Sequence, residues 1–457
     1  MSIVREDSYV IIDLCSYMTR CGVGVNDPNR LPAYLIPTVV GELSTATVAS
    51  GAAEEAAKDD TTPNEAEPAA ETGDSEAKPT VGSTSQPTYV VGESALRKLT
   101  DKDSAPVWPM ASDHVDDWDR MVIFWEYILA KRFKLKFDNM ESPVLLSVPT
   151  QWSRLETERT AQIFFERFNV PGLYIAEQPL LAAYGSGVLT ALVVKIGHRY
   201  TDITPVIDSN IQYQAAQRLE LAGQDIDQRL LELLRKDKAL VELLGDDLNL
   251  AFSQMVKENH LDLSPLTEDD ETVPALPTAV AGATALAAAS KKEAADKAGP
   301  QRIEFEYKGK KISLNTDVAK SVEVLFNPEL APKRSLDLVT AIERAVLQCD
   351  VDKRMALWDC LLLTGGLSLT KGLPQLLERR LKSRVLAQSD NAGDTQPQEV
   401  KFGRIPEYFS RYKDRPDYMA YLGATIAAKL VFNDPKNYVH KADYNEMGPA
   451  AIFCKNN

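Results

Sequence analysis

The chain has 457 residues, 44% hydrophobic and 26% charged, enough for two or more packed domains with sizeable cores. Its net charge of −15 argues against dominant binding to nucleic-acid phosphates, which needs a concentrated basic face. Five cysteines without a Cys-x-x-Cys pair fit a reducing compartment, and no His or Cys has metal-ligand spacing. The N-terminus carries no apolar signal core and no run of about 20 apolar residues occurs, so a soluble intracellular protein is expected.

The predicted elements alternate strands and helices. Tyr9 to Leu14 reads as a strand and Gly22 to Val25 begins its partner. Ser44 to Pro87 holds nine acidic residues against Lys58 and Lys78, with no aromatic, Leu or Ile, so it is expected to be disordered. Trp118 to Phe133 is helical, with Met121, Ile123, Phe124, Tyr127 and Ile128 on one apolar face. Pro143 to Val148 is a buried strand, and Arg154 to Phe168 and Gln178 to Gly187 are helices. Leu189 to Val194 and Tyr200 to Ile207 are strands, followed by a helix from Asp225 to Leu234. Leu263 to Pro300 is Ala-rich and of low complexity; its run Ala281 to Ala289 is a transient helix at most, without an apolar face to dock. Leu361 to Gly366 is a strand running into a glycine turn, and Pro374 to Leu381 is helical. The basic clusters Lys131 to Lys136 and Arg379 to Arg384 read as solvated helix faces.

Lys195-Ile-Gly-His-Arg199 falls between two apolar strands, where a tight turn can present backbone N–H groups to a phosphate if small residues let it approach. Gly197 remains, but Lys195, His198 and Arg199 surround it, with Asp202 beyond. The mixture reads as a nucleotide-enzyme architecture kept for a purpose other than hydrolysis.

Several stretches in colinear order resemble actin: Thr160 to Pro171, Tyr174 to Gln178, Tyr184 to Gly187, Arg218 to Asp225, Cys349 to Arg354, Leu363 to Gly366 and Tyr444 to Pro449. The resemblance implies a divergent actin-related protein. Its fold would be α/β, the actin-like ATPase fold, with two duplicated domains of five-stranded mixed sheets around a central cleft. Residues 1–179 plus 421–457 would form the small outer domain, interrupted by 44–87. Residues 180–420 would form the large inner domain, interrupted by 263–300. In the first phosphate loop Asp13 and Ser16 match the family, Cys15 and Tyr17 replace its flanking glycines, and Arg20 stands for its Lys. A Tyr17 side chain would exclude phosphate sterically. In the second loop Lys195 stands for the Asp that orders the metal's waters, a charge that opposes a divalent ion. His198 stands for the ribose-contacting Asp, Arg199 for a glycine and Asp202 for the catalytic-water His. Gln178, Gly197, Gly223, Gly365 and Gly366 are retained, as is the adenine-contacting pair Lys257 and Glu258.

Hydrolysis needs an oriented water and charge neutralisation at the γ-phosphate, so the resemblance implies no catalytic residues, no metal and no required cofactor, with ATP held, if at all, without hydrolysis. The alternatives are an ATPase rebuilt on Lys195 and Arg199, and a pointed-end actin-related subunit of dynactin. An acidic insertion at a polymer interface opposes self-polymerisation. The family's partner groove maps to Tyr184, Gly187 and Leu189 on one side and Ala427, Leu430 and Val431 on the other, small or apolar positions suited to an amphipathic helix. Overall the chain is most similar to the fungal actin-related protein nine class. That class implies a nuclear scaffold subunit of SWI/SNF or RSC remodellers. It would pair with a second actin-related protein on the helicase-SANT-associated helix of the remodeller ATPase, with no direct nucleic-acid or membrane contact.

Overall fold

A computed structural model describes residues 5–43, 88–98, 105–264, 266, 302–331, 333, 335–387 and 399–455. The predicted insertion 44–87 lies outside the described residues, as does 263–300 apart from 263, 264 and 266. In chain order the strands are β1 (Val10–Asp13), β2 (Met18–Val23), β3 (Tyr34–Pro37), β4 (Val40–Leu43), β5 (Thr88–Val91), β6 (Val144–Val148), β7 (Gly172–Glu177) and β8 (Ala191–Ile196). They continue as β9 (Thr201–Ile207), β10 (Asn210–Ile211), β11 (Gln217–Leu219), β12 (Arg302–Tyr307), β13 (Lys310–Asn315), β14 (Leu361–Thr364) and β15 (Val439–His440).

The chain separates into two compact units. One comprises Met1–Leu14, Arg20–Ala33 and Glu141–Asn457; the other comprises Cys15–Thr19 and Tyr34–Met140.

The first unit is built on two mixed sheets. One is six-stranded and contributes β15-β7-β6-β1-β2 to this unit; the other is five-stranded, β10-β9-β8-β14 with β11 on β9. They repeat one motif. In the first, β1 is antiparallel to β2 and parallel to β6; in the second, β8 is antiparallel to β9 and parallel to β14. Parallel strands covered on both faces read as continuous apolar runs, and every residue of β1, β6 and β14 is buried.

The helices Gln178–Gly185 and Met419–Val431 share a core with residues of both sheets, including Ile11, Leu145, Val193 and Leu362. Their axes approach closely because glycines meet. A Cβ on Gly423 would stand 1.7 Å from the Leu181 carbonyl oxygen, and one on Gly185 would stand 2.2 Å from that of Met419. Leu181 faces Gly423 and Gly185 faces Met419, so the two helices run antiparallel. A second core lies on the other side of β8 and β9, joining Leu192, Val194, Ile226, Leu230, Phe252, Ile342 and Leu377.

Two predicted helices end differently from expectation. Trp118–Glu126 and Arg154–Gln162 are α-helical, then each widens into a π turn, Tyr127–Arg132 and Ile163–Arg167. Side chains fix their starts: Asp117 caps the first, and Ser153 with Glu156 forms a capping box on the second. The partner of β1 starts at Met18, earlier than the predicted Gly22. In the second unit β4 pairs β5, and Val39 and Ala95 are buried against Leu43, Val90 and Trp108.

Candidate functional site

The two hairpins of the repeat end in matching ion pairs of opposite polarity. Asp13 on β1 is the register partner of Arg20 on β2, and Lys195 on β8 is the register partner of Asp202 on β9. The pairs close at 3.5 Å and 3.9 Å. Lys195 therefore lies within the strand; the turn is Gly197 to Tyr200, closed by the Gly197 amide on the Tyr200 carbonyl.

Asp13 is buried, and its carboxylate accepts from Ser147 Oγ at 2.8 Å and from Gln178 Nε2 at 2.8 Å. Gln178 also donates to the Leu14 carbonyl at 2.9 Å, so its amide group ties two elements together. Arg20 reaches a second carboxylate, that of Asp417, at 3.7 Å. Arg415 binds Asp417 through two nitrogens, at 2.9 and 2.8 Å, a bidentate geometry that fixes orientation. Both guanidinium groups lie against the Tyr418 ring.

The second hairpin carries the reverse order of charge. Asp202 is buried, with Arg218 on β11 at 2.8 Å on one side and Lys195 on the other. Arg218 is also the register partner of Asp202, so the triplet crosses three adjacent strands, and its guanidinium covers the Tyr200 ring. Lys195 and Asp202, two of the positions singled out from sequence, thus form one ion pair with each other.

Gly197 and Gly223 come together with His198 and Lys257. The Gly223 amide donates to the Gly197 carbonyl and the Gln224 amide to the His198 carbonyl. The first N–H groups of the Gly223–Leu234 helix, the groups that would bind an anion, are therefore spent on the turn. A Cβ on Gly223 would meet Gly197 O at 3.1 Å and Lys257 Nζ at 3.2 Å. Lys257 donates to Asp227 at 2.7 Å and to the Gly223 carbonyl at 3.0 Å. Glu258 is exposed and accepts from Gln254, while its charge still reaches Asp227 and helps to raise it. Burial pushes Asp227 up to about 6 against the pull of Lys257. Burial, then the Lys257 and Arg199 charges, pushes His198 down to about 4, which keeps the imidazole neutral at pH 7. Gly365 has φ of 90°, and its backbone lies so close to Ile196 that a Cβ would stand 2.3 Å from that carbonyl oxygen. Gly366 has open space around it.

Cys15, Ser16 and Tyr17 belong to the second unit. There the Cys15 carbonyl accepts from Thr38 Oγ1 at 2.7 Å, and the Tyr17 ring stacks on Trp108 with centroids 5.2 Å apart.

The predicted groove residues sit on or just past the two antiparallel helices. Leu189 and Leu430 are 62% and 68% exposed, Tyr184 and Val431 are half-buried, Gly187 is exposed and Ala427 is buried. Leu430 stands seven residues beyond the glycine crossing, about 10 Å along its helix, while Leu189 follows the opposite end. Tyr174 is half-buried, with its phenol raised by burial and by neighbouring Tyr184.

The actin family profile, described as Actin, matches residues 4–457. The chain belongs to the actin family. The mixed sheets of the actin-related chain fit the actin-like ATPase fold. It is 25% identical to the SWI/SNF and RSC complexes subunit arp9 of Schizosaccharomyces pombe over 521 residues, spanning 99% of each chain. It is 25% identical to actin-related protein 2 of Saccharomyces cerevisiae, covering 76% of this chain and 81% of that one. It is 26% identical to actin-related protein 2 of Arabidopsis thaliana, covering 80% and 85%. At this identity the chain is a divergent actin-related protein.

Sequence reading missed Ser147, which bonds Asp13, Arg218, which pairs with Asp202, Asp227, which pairs with Lys257, and Asp417, which pairs with Arg20 and Arg415. One signal was available: in both hairpins the opposite charges stand seven residues apart, 13 to 20 and 195 to 202, as register partners across a turn do.

Proposed function

We propose that this actin-related chain is a non-catalytic scaffold subunit of a chromatin-remodelling complex of the SWI/SNF or RSC type, acting in the nucleus. The observation that carries the absence of catalysis is the Lys195–Asp202–Arg218 triplet. It engages the Asp202 carboxylate with two cations at positions that the resemblance assigns to metal and water ordering, where phosphoryl transfer needs a metal or its equivalent and an oriented water. Support for the complex comes from the end-to-end relation to a protein named as a SWI/SNF and RSC subunit. No cofactor is required for this role, and any nucleotide held in the cleft is held without turnover.

The proposed partners are a second actin-related protein and the helicase-SANT-associated helix of the remodeller ATPase. That helix would lie across Leu189 and Leu430, with Tyr184 and Val431 beneath it. Leu430 on its helix and Leu189 just beyond the other are exposed apolar anchors, each worth about 1 kcal/mol of binding. The test is a pull-down of the purified chain by that helix, with the second actin-related protein present. Retention by the wild type and loss in Leu189→Asp/Leu430→Asp supports the reading. No retention of the wild type contradicts it.

A further inference from the structure

Thr364 is the register partner of Lys195 on β14, and its Oγ1 donates to the Pro416 carbonyl at 2.8 Å. Pro416 is the residue before Asp417. The two charge triplets, one at each hairpin, are therefore joined. The path runs Arg218–Asp202–Lys195 on the second sheet, across β14 to Thr364, to Pro416–Asp417, then to Arg20 and Asp13 on the first sheet. Asp202, Thr364, Asp417, Arg20 and Asp13 are all buried. Arg415 and Gln178 brace the first-sheet end.

We propose that this path is a built-in strut that holds the two sheets together through side chains fixed in the chain, doing the clamping that an exchangeable bound ligand would otherwise do. The triplets alternate in opposite order, anion–cation–anion for Asp13, Arg20 and Asp417 and cation–anion–cation for Lys195, Asp202 and Arg218, so their net charges of −1 and +1 are opposite, and Arg415 offsets the first. Charged hydrogen-bonded networks in a low-dielectric setting behave as units, and loosening one member loosens the others. The strut thus couples the ends of the two sheets, and its coupling runs through the Thr364 hydroxyl.

The test is hydrogen–deuterium exchange on the full chain, comparing Arg20→Met, the near-isosteric Thr364→Val and the double variant. Arg20→Met should speed exchange about tenfold in peptides covering Val10–Val23, and also in those covering Lys195–Asp202, the factor set by loss of its ion pairs to Asp13 and Asp417. In the Thr364→Val background the same change should reach only Val10–Val23. Should Arg20→Met not fold, Arg20→Lys, which cannot span both carboxylates, should give a smaller effect with the same reach. An effect confined to Val10–Val23 in the otherwise native chain overturns the proposal, as does one that reaches Lys195–Asp202 equally without the Thr364 hydroxyl. Protection of Lys195–Asp202 that appears on adding Mg-ATP and vanishes with EDTA overturns it too. No partner enters any readout, so failure of the remodeller assignment leaves these outcomes intact.

Discussion

Replacing Asp202 by Asn removes the one anion between Lys195 and Arg218. The carboxylate is 6% exposed as a side chain, and its neighbours are 14% and 24% exposed. At 3.9 Å a charge pair is worth about 4 kcal/mol at an effective dielectric near 20, offset largely by desolvation while the pair is intact. Removing one partner strands the rest, and for partly solvated cations the lower end of the usual range applies, about 3 kcal/mol. With roughly 2.1 cal/mol/K of unfolding entropy per residue, a unit of this size should lose roughly 4 °C in its unfolding midpoint. Lys195→Met should cost less, about 1 kcal/mol, because Asp202 keeps Arg218 at 2.8 Å. Thermal and urea unfolding of the two variants beside Asp202→Glu give the ordering. An Asp202→Asn midpoint equal to the wild type, or a larger loss in Lys195→Met, refutes the reasoning.

The helix crossing predicts that Gly423→Ala abolishes soluble folded protein, because the new Cβ would stand 1.7 Å from a backbone oxygen that cannot rotate away; a cost above about 4 kcal/mol should show as loss of the folded circular-dichroism signal. Titration supplies two terms of opposite sign. His198 is lowered from 6.5 to about 4, so its contribution is complete above pH 6.5 and is lost as pH falls to 4. Asp227 is raised from 3.8 to about 6, so its contribution is present at low pH and is lost as pH rises from 3.8 to 6. Wild-type stability relative to His198→Gln should therefore fall between pH 6.5 and 4, and relative to Asp227→Asn should rise, with parallel urea-midpoint curves counting against both. Leu430→Asp, at a residue 68% exposed, should leave unfolding within about 0.5 kcal/mol of wild type while weakening capture by the partner helix.

Local pattern made much of the architecture legible. The apolar runs at Val144–Val148 and Leu361–Thr364 are the buried central strands they read as, and the Gly365 turn lies at the end of β14. The ends of the predicted elements moved by a few residues, because turns such as Gly197–Tyr200 take their limits from cross-strand pairing. At the site, the charged residues were visible one by one, but their partners were not. Lys195 looked like an isolated charge reversal because Arg218 and Asp202 reach it only through the register of three strands. Lys257 looked like half of a pair with Glu258, yet its partner is Asp227, 30 residues earlier on another helix. Asp417 meets Arg20 across nearly the whole chain, a contact that no local periodicity encodes.

The central claim is that fixed internal charges have taken over the phosphate and metal end of the cleft. Calorimetric titration of the purified chain with Mg-ATP, followed by a turnover assay on the same sample, tests it most directly. The account predicts no phosphate release, and the same heat of binding, or none, with magnesium or with EDTA. Tight binding that requires magnesium and proceeds to turnover would contradict it.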